Sequence, residues 1–133
     1  MYRKLAAAAA ALAAGLMAMA GAQPASASTS VATIGYGSSN HFGVACVQWA
    51  VDWYLDDGSP IAIDGYYGDD TLAAIKEFQR QEGLTRDGLV GPKTGNKVIA
   101  VINQYLDYND DWNFTGWSPH YLSDCYDHVR TSY

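Results

Sequence analysis

Apolar residues recur at spacings of three and four along three segments of the chain, and this spacing is the period of an amphipathic helix. The first segment runs from Phe42 to Leu55, and its apolar positions are Val44, Val47, Val51, Tyr54 and Leu55. The second runs from Asp70 to Glu82 and has Leu72, Ala74, Ile75 and Phe78. The third runs from Pro92 to Leu106 and has Val98, Ile99, Ile102, Tyr105 and Leu106. The pattern predicts an all-α fold, a small three-helix bundle.

Two copies of one short pattern, Asp-Gly-x-x-Gly-x-x-Thr, separate the predicted helices. The copies begin at Asp64 and at Asp87, 23 residues apart, and such repetition indicates one structural unit used twice. Asp-Gly favours a tight turn because glycine adopts positive φ at no steric cost. Each copy is therefore expected to form a loop that starts a helix. The predicted structural turn residues are Asp64, Gly65, Gly68, Asp87, Gly88 and Gly91.

The stretch between the turns, TLAAIKEFQRQEGL at 71–84, completes a larger pattern. A first helix with a V-x-x-x-Q-like core, two Asp-Gly turns, a Phe-Gln pair and a Gly-Leu pair all occur in order. In this combination, residues 42–106 resemble the peptidoglycan-binding-like domain family (PG_binding_1) of secreted bacterial wall proteins. The resemblance implies the three-helix fold and a peptidoglycan glycan or stem peptide as the partner.

Residues 1–27 have the features of a secretory signal peptide. Arg3 and Lys4 precede an unbroken apolar run, and Ala25-Ser26-Ala27 is a small-residue cleavage site. The run is short and alanine-rich for a membrane span, so we expect no membrane association after cleavage. The mature protein is expected to be extracellular or associated with the cell wall. Residues 28–41, which show no hydrophobic period, are predicted to be a flexible linker.

The mature chain is acidic. Cleavage removes two of the eight basic residues and none of the 14 acidic ones, which leaves a net charge of −8. Such a charge argues against nucleic acid as a partner, because phosphate binding requires basic patches. It also makes long-range attraction to an anionic wall weak, so wall binding would have to depend on a local surface.

Two cysteines, Cys46 and Cys125, remain in the mature chain, and in a small secreted protein a disulfide is their simplest use. A reactive thiol is the alternative. Residues 107–133 form a C-terminal extension rich in aromatic residues, with a short helix expected from Pro119 to Val129. Leu122, Cys125 and Val129 would lie on one side of that helix. The bridge would dock it over a second apolar face of the first helix, which carries Cys46, Trp49, Ala50 and Trp53.

No pattern of catalytic or metal-ligating residues is convincing. Asp64 and Asp87 could be a carboxylate pair of the glycosidase type, but their place in repeated turns favours a structural role. Gln48 and Gln79 are expected to bond loop backbone from the helices. His41, His120 and His128 lack metal-site spacing. We therefore expect no enzyme activity, no metal and no cofactor.

The side of the bundle that carries both turns is the predicted binding surface. Tyrosine rings can stack on sugar faces, and an arginine can hold a stem-peptide carboxylate. The candidate ligand-binding residues are Tyr66, Tyr67, Arg80, Arg86 and Leu89. For Tyr66 and Leu89 a role as core residues is the alternative, and Tyr67 is equally open.

Two functions fit these features. The first is a secreted, monomeric, non-catalytic protein that binds peptidoglycan. The second is a secreted module that binds or inhibits another secreted protein through the same fold. The sequence favours the first.

Overall fold

The computed structural model describes residues 30–108 and 119–132. Within them the chain forms four helices: α1 (His41–Leu55), α2 (Asp69–Gln81), α3 (Pro92–Tyr108) and α4 (Pro119–Asp124). A 3-10 turn, Cys125–Asp127, follows α4. The predicted helices agree with α1 to α3 to within two residues at each end, so the all-α bundle is confirmed. The predicted signal peptide lies outside the described residues.

The helix ends follow from local chemistry. The side chain of Asn40 caps α1 by accepting the N–H of Gly43 at 2.9 Å. Helix α1 ends where Asp56 adopts a left-handed conformation, with φ of 33°. Two acidic residues in the first turn of α2, Asp69 and Asp70, complement the positive end of its dipole. Pro92 occupies the first position of α3, as predicted.

The core lies between α1, α2 and α3. At the centre of this core, apolar positions that the helical period predicts are buried: Val44, Val47, Val51, Ile75, Phe78, Val98, Ile99 and Ile102. Each fully buried aliphatic or aromatic side chain contributes about 1.5–3 kcal/mol of hydrophobic free energy. None of the described helices is long and apolar enough to span a bilayer.

The C-terminal extension is bonded to the second apolar face of α1. Cys46 and Cys125 form the predicted disulfide, with Cα atoms 5.8 Å apart. Leu122, Cys125 and Val129 are fully buried, as the predicted helix face requires. The helix itself is shorter than predicted, because regular α-helix ends at Asp124 and a 3-10 turn completes it. Among the described rings, Tyr105 of α3 covers Trp49 and Trp53, with centroids 4.7 Å and 5.8 Å away.

The last described residues cross the start of α1 and α3 at two glycines. A Cβ on Gly43 would lie 2.5 Å from the carbonyl oxygen of His128, and one on Gly95 would lie 1.7 Å from that of Arg130. Side chains at either position would therefore displace the C-terminal segment. Hydrogen bonds hold the same crossing, since Asn40 Nδ2 donates to His128 O at 2.8 Å and Asn96 bonds Ser132.

The prediction of a flexible linker at 28–41 needs correction. His41 already belongs to α1, and Ile34 is fully buried. The backbone of Ile34 pairs with that of Val90 in both directions, at 3.2 Å and 2.9 Å. The apolar residues around Ile34 show no regular hydrophobic period, so the pattern could not reveal this packing. We call residues 30–40 the N-terminal segment.

Candidate functional site

The first Asp-Gly turn is held by one buried glutamine of α1. Gln48 Nε2 donates to Asp64 Oδ1, Tyr66 O and Thr71 Oγ1, each at 3.0 Å. Its Oε1 accepts the N–H groups of Asp64 and Gly65, at 3.1 Å and 2.9 Å. One side chain thus fixes both sides of the loop, as predicted for a buried amide.

Gln79 of α2 holds the second turn in the same way. Its Nε2 donates to Asp87 Oδ1, Leu89 O and Thr94 Oγ1 at 2.9 Å, 3.1 Å and 3.2 Å. Its Oε1 accepts the N–H of Gly88 at 2.9 Å. The sequence repeat is therefore also a repeat of hydrogen bonds, in which each loop is fixed by the helix that precedes it.

The two turn aspartates accept hydrogen bonds from the backbone of their own loops. Asp64 Oδ1 accepts the N–H of Tyr66 and Asp87 Oδ1 that of Leu89, both at 2.9 Å. The bond from the Tyr66 N–H, followed by that from Gln48, lowers the pKa of Asp64 below its ordinary value. These contacts occupy both aspartates within their own loops.

The first glycine of each turn has the conformation that the pattern predicts. Gly65 and Gly88 have φ values of 76° and 72°, a region that L side chains rarely adopt. The second glycine differs from the prediction, because Gly68 is extended, with φ of −108° and ψ of −170°. Any residue can adopt that backbone, and a Cβ on Gly68 would meet nothing within 4 Å.

Tyr67 is not placed to contact a ligand directly. Its side chain is only 8% exposed, and its hydroxyl donates to the carbonyl oxygen of Gly88 in the other turn. Burial raises the pKa of the Tyr67 phenol to about 12, with a smaller contribution from the negative charge of Asp87. The proposal of Tyr67 as a binding residue is therefore corrected: the ring links the two turns.

Tyr66 and Leu89, which occupy matching positions in the repeat, both face solvent. They are 66% and 48% exposed, which excludes the alternative that they are core residues. The Tyr66 ring rests against His41, with centroids 4.8 Å apart, and His41 Nδ1 lies 3.0 Å from the carbonyl oxygen of Gly65. Both residues remain candidates for ligand contact.

The charges of both candidate arginines act on one glutamate of α2. Arg80 forms a salt bridge with Glu77 of the same helix, at 2.5 Å. Hydrogen bonds from Arg80 and then Gln81 hold the pKa of Glu77 at about 2, and the charge of Arg86 also lowers it. Arg80 is thus paired within α2, and the binding roles expected of Arg80 and Arg86 stay predictions.

The N-terminal segment crosses both turns, which the sequence prediction missed. Ile34 pairs with Val90, which follows the second turn. Gly35 lies under Leu89, since a Cβ there would be 2.8 Å from Leu89 Cδ2. The ring of Tyr36 packs on Tyr67, with centroids 5.4 Å apart. The sequence feature that could have indicated this crossing is an aromatic residue, Tyr36, between two glycines, Gly35 and Gly37.

A cleft of about 680 Å³ lies between the end of α1, the loop after it and α2. Its charged lining is acidic and comes from Asp52, Asp56, Asp57, Asp70 and Glu77. Two of these carboxylates bond nearby backbone: Asp52 accepts the N–H of Ile61 and Asp57 that of Ser59, both at 2.9 Å. An anionic wall polymer would be repelled from this cleft.

Among residues 30–108 and 119–132, no group of three or more His, Cys, Asp and Glu side chains could hold a metal ion. In the same ranges both cysteines are bridged, so neither is available as a nucleophile.

Several known proteins share this part of the chain. A zinc D-Ala-D-Ala carboxypeptidase of Streptomyces albus G is 41% identical over 69 residues, or 52% of this chain. A probable N-acetylmuramoyl-L-alanine amidase of Bacillus licheniformis is 44% identical over 54 residues, or 40% of the chain. The spore cortex-lytic enzyme of Bacillus subtilis (strain 168) is 47% identical over 47 residues, or 35% of the chain.

The similarity covers only part of each relative. The chain spans 27% of the length of the carboxypeptidase and 15% of the length of the amidase and of the cortex-lytic enzyme. No solved structure matches the chain significantly. The model of one family, described as "Putative peptidoglycan binding domain", matches residues 50–98, which include both turns and α2. The segment at 50–98 therefore matches the same family, PG_binding_1, that the two turns and the Phe-Gln pair resemble.

Proposed function

We propose that the chain is a secreted, monomeric, non-catalytic protein that binds peptidoglycan. The observation that carries this proposal is the family domain at 50–98, whose two turns are both fixed by buried glutamines. A rigid pair of loops holds Tyr66 and Leu89 in the solvent, where a ligand can reach them. Pre-formed surfaces of this kind lose little conformational entropy on binding.

The relatives support peptidoglycan as the ligand. Their names refer to a D-Ala-D-Ala dipeptide, to N-acetylmuramoyl-L-alanine and to spore cortex. These names describe different reactions on related material, whereas the matched segment is common to all three. A shared segment with differing chemistry suits a role in attachment to the wall, and we assign that role to the segment here.

We propose that the chain is not catalytic because the side chains that could act as acids, bases or nucleophiles are engaged in structural bonds. Asp64 and Asp87 each bond a glutamine amide and a loop N–H, so neither is arranged as an acid or a base. The cysteines form a buried bridge. Export is proposed from the charged start, the apolar run and the small-residue cleavage site, and this bridge suits an oxidising compartment.

Co-sedimentation of the mature protein with purified sacculi, stripped of anionic wall polymers, tests the proposal. We expect the protein to sediment with the sacculi and the turbidity of the suspension to stay constant. Because the mature protein has a net charge of −8, raised salt should leave binding intact or strengthen it. Tyr66→Ala should weaken sedimentation, whereas Tyr108→Ala, at the exposed end of α3, should not.

Two results would change the conclusion. Sedimentation no greater than that of an unrelated acidic protein would contradict peptidoglycan binding and favour the interaction module. A fall in turbidity would show that the protein cuts the wall and that an active site exists. Mass spectrometry of the exported protein should find a first residue near Ser28, and an intact Met1 would contradict signal cleavage.

A further inference from the structure

Tyr36 combines exposure with a fixed position. Its side chain is 57% exposed although it belongs to a segment that packs on the domain. Ring contact with Tyr67 supports it from below, at 5.4 Å between centroids. The Tyr36 hydroxyl donates to Asp69 in the first turn of α2. A tyrosine held at both its ring and its hydroxyl loses little rotamer freedom when a ligand binds.

The support beneath Tyr36 is itself connected to both turns. Tyr67 belongs to the first turn, and its hydroxyl donates to Gly88 in the second. The preceding residue, Gly35, lies under Leu89, which is 48% exposed. Leu89 of the second turn therefore lies against the residue that precedes Tyr36, where the N-terminal segment crosses the turns.

The charges around Tyr36 restrict the ligand class. The group that accepts from its hydroxyl is the carboxylate of Asp69, and the mature chain is strongly acidic. A phosphate polymer or a peptide carboxylate placed on this ring would be repelled by that carboxylate. A neutral sugar ring would not be, and its C–H face suits an aromatic ring while its hydroxyls can hydrogen-bond the phenol.

We propose that Tyr36 is a stacking residue for the neutral sugar rings of the glycan strand, so that the N-terminal segment forms part of the binding surface. This inference rests on the proposed function and names the part of peptidoglycan that is recognised. Leu89 lines the adjacent edge of the surface and contributes apolar contact.

The experiment compares three probes with the mature protein: intact sacculi, soluble glycan strands freed of stem peptides, and the isolated stem peptides. The lactyl carboxyl groups of the freed strands are amidated, so that the strands are neutral. Affinity is measured by calorimetry, and NMR follows the Tyr36 ring of the unaltered protein during titration with glycan strands. The variants are Tyr36→Ala, Tyr36→Phe and, as the matched control, Tyr108→Ala, another exposed tyrosine. Thermal unfolding of each variant checks that the fold is retained.

Glycan strands should bind the protein and shift the signals of the Tyr36 ring. Tyr36→Ala should weaken that affinity by about tenfold or more. Tyr36→Phe keeps the ring and should stay within about threefold of the parent, and Tyr108→Ala should bind as the parent does. The NMR result does not depend on whether a variant folds.

Failure of this inference can be distinguished from failure of the proposed function. If sacculi bind but the Tyr36 ring does not respond and Tyr36→Ala binds as well as the parent, the role of Tyr36 is wrong. If stem peptides bind and glycan strands do not, the ligand class is wrong while peptidoglycan binding stands. If no probe binds, both proposals fall.

Discussion

Replacing Gln79 by methionine should destabilise the domain severely, because this side chain is the main polar support of the second turn. Gln79 is fully buried and makes four hydrogen bonds, three from Nε2 and one to Oε1. Methionine has nearly the same length and volume, so the substitution opens little cavity. The effect measured is therefore that of the lost amide.

The size of the loss follows from these bonds. A typical hydrogen bond contributes about 1 kcal/mol net, and a bond to a charged group such as Asp87 contributes about 1.5–3 kcal/mol. The N–H of Gly88 is buried and would lose its partner, at a further cost of about 1–3 kcal/mol. Since these terms overlap, we expect Gln79→Met to lower the free energy of unfolding by about 4 kcal/mol. Small domains have only about 5–15 kcal/mol in total.

Urea denaturation of the mature protein, with the disulfide intact, measures this change. The matched control is Gln81→Met, since Gln81 is exposed on the same helix and its side chain donates to the side chain of Glu77. The control should change stability by less than about 0.5 kcal/mol. Gln48→Met should behave like Gln79→Met, because Gln48 makes the equivalent bonds in the first turn.

A loss below about 1 kcal/mol for Gln79→Met would refute this reasoning. It would mean that water or backbone rearrangement can replace the amide, so that the loop does not depend on it. An equal loss for Gln81→Met would point instead to a general effect on α2. Either result would also weaken the argument that the two turns form a rigid surface.

Three further outcomes are expected. Cys125→Ser should lower the free energy of unfolding by about 2–5 kcal/mol, measured by denaturation, and an unchanged midpoint would contradict a stabilising bridge. Gly95→Ala should release the C-terminal segment to limited proteolysis, because its Cβ would lie 1.7 Å from a backbone oxygen, whereas Gly68→Ala should not. NMR titration should place the pKa of Glu77 at about 2, and Arg80→Met should raise it toward 4.5. Since the folded-state value is depressed, the stabilisation by Glu77 is present above pH 4.5 and is lost as the pH falls toward 2.

The sequence predicted those parts of the fold that depend on local periodicity. Helical spacing located α1, α2 and α3, and the repeated Asp-Gly pattern located both turns and the positive φ of Gly65 and Gly88. Two cysteines in a small chain with the features of an exported protein were enough to predict the bridge. Each of these features is determined by residues close in sequence, or by a bond with few possible partners.

Features that depend on a single distant contact could not be predicted. Ile34 is buried where its backbone pairs with Val90, a residue 56 positions away, and no hydrophobic period around Ile34 indicates this contact. The exposure of Tyr66 and the burial of Tyr67 reflect which way each side chain leaves the loop. Arg80 lies on the solvent face of α2, where it forms a salt bridge with the glutamate three residues earlier.

The comparison of the two turns shows how a repeated scaffold supports an unequal surface. The residues that fix the loops are chemically the same in both copies, namely a glutamine, an aspartate and a threonine. The residues on the rim differ, since Tyr66 is matched by Leu89 and Tyr67 by Val90. Tyr67 reaches the other turn, whereas Val90 pairs with the N-terminal segment, so that the segment carries Tyr36 over the first turn. The repeat thus supplies rigidity, and the unlike residues within it shape the surface that we propose binds the ligand.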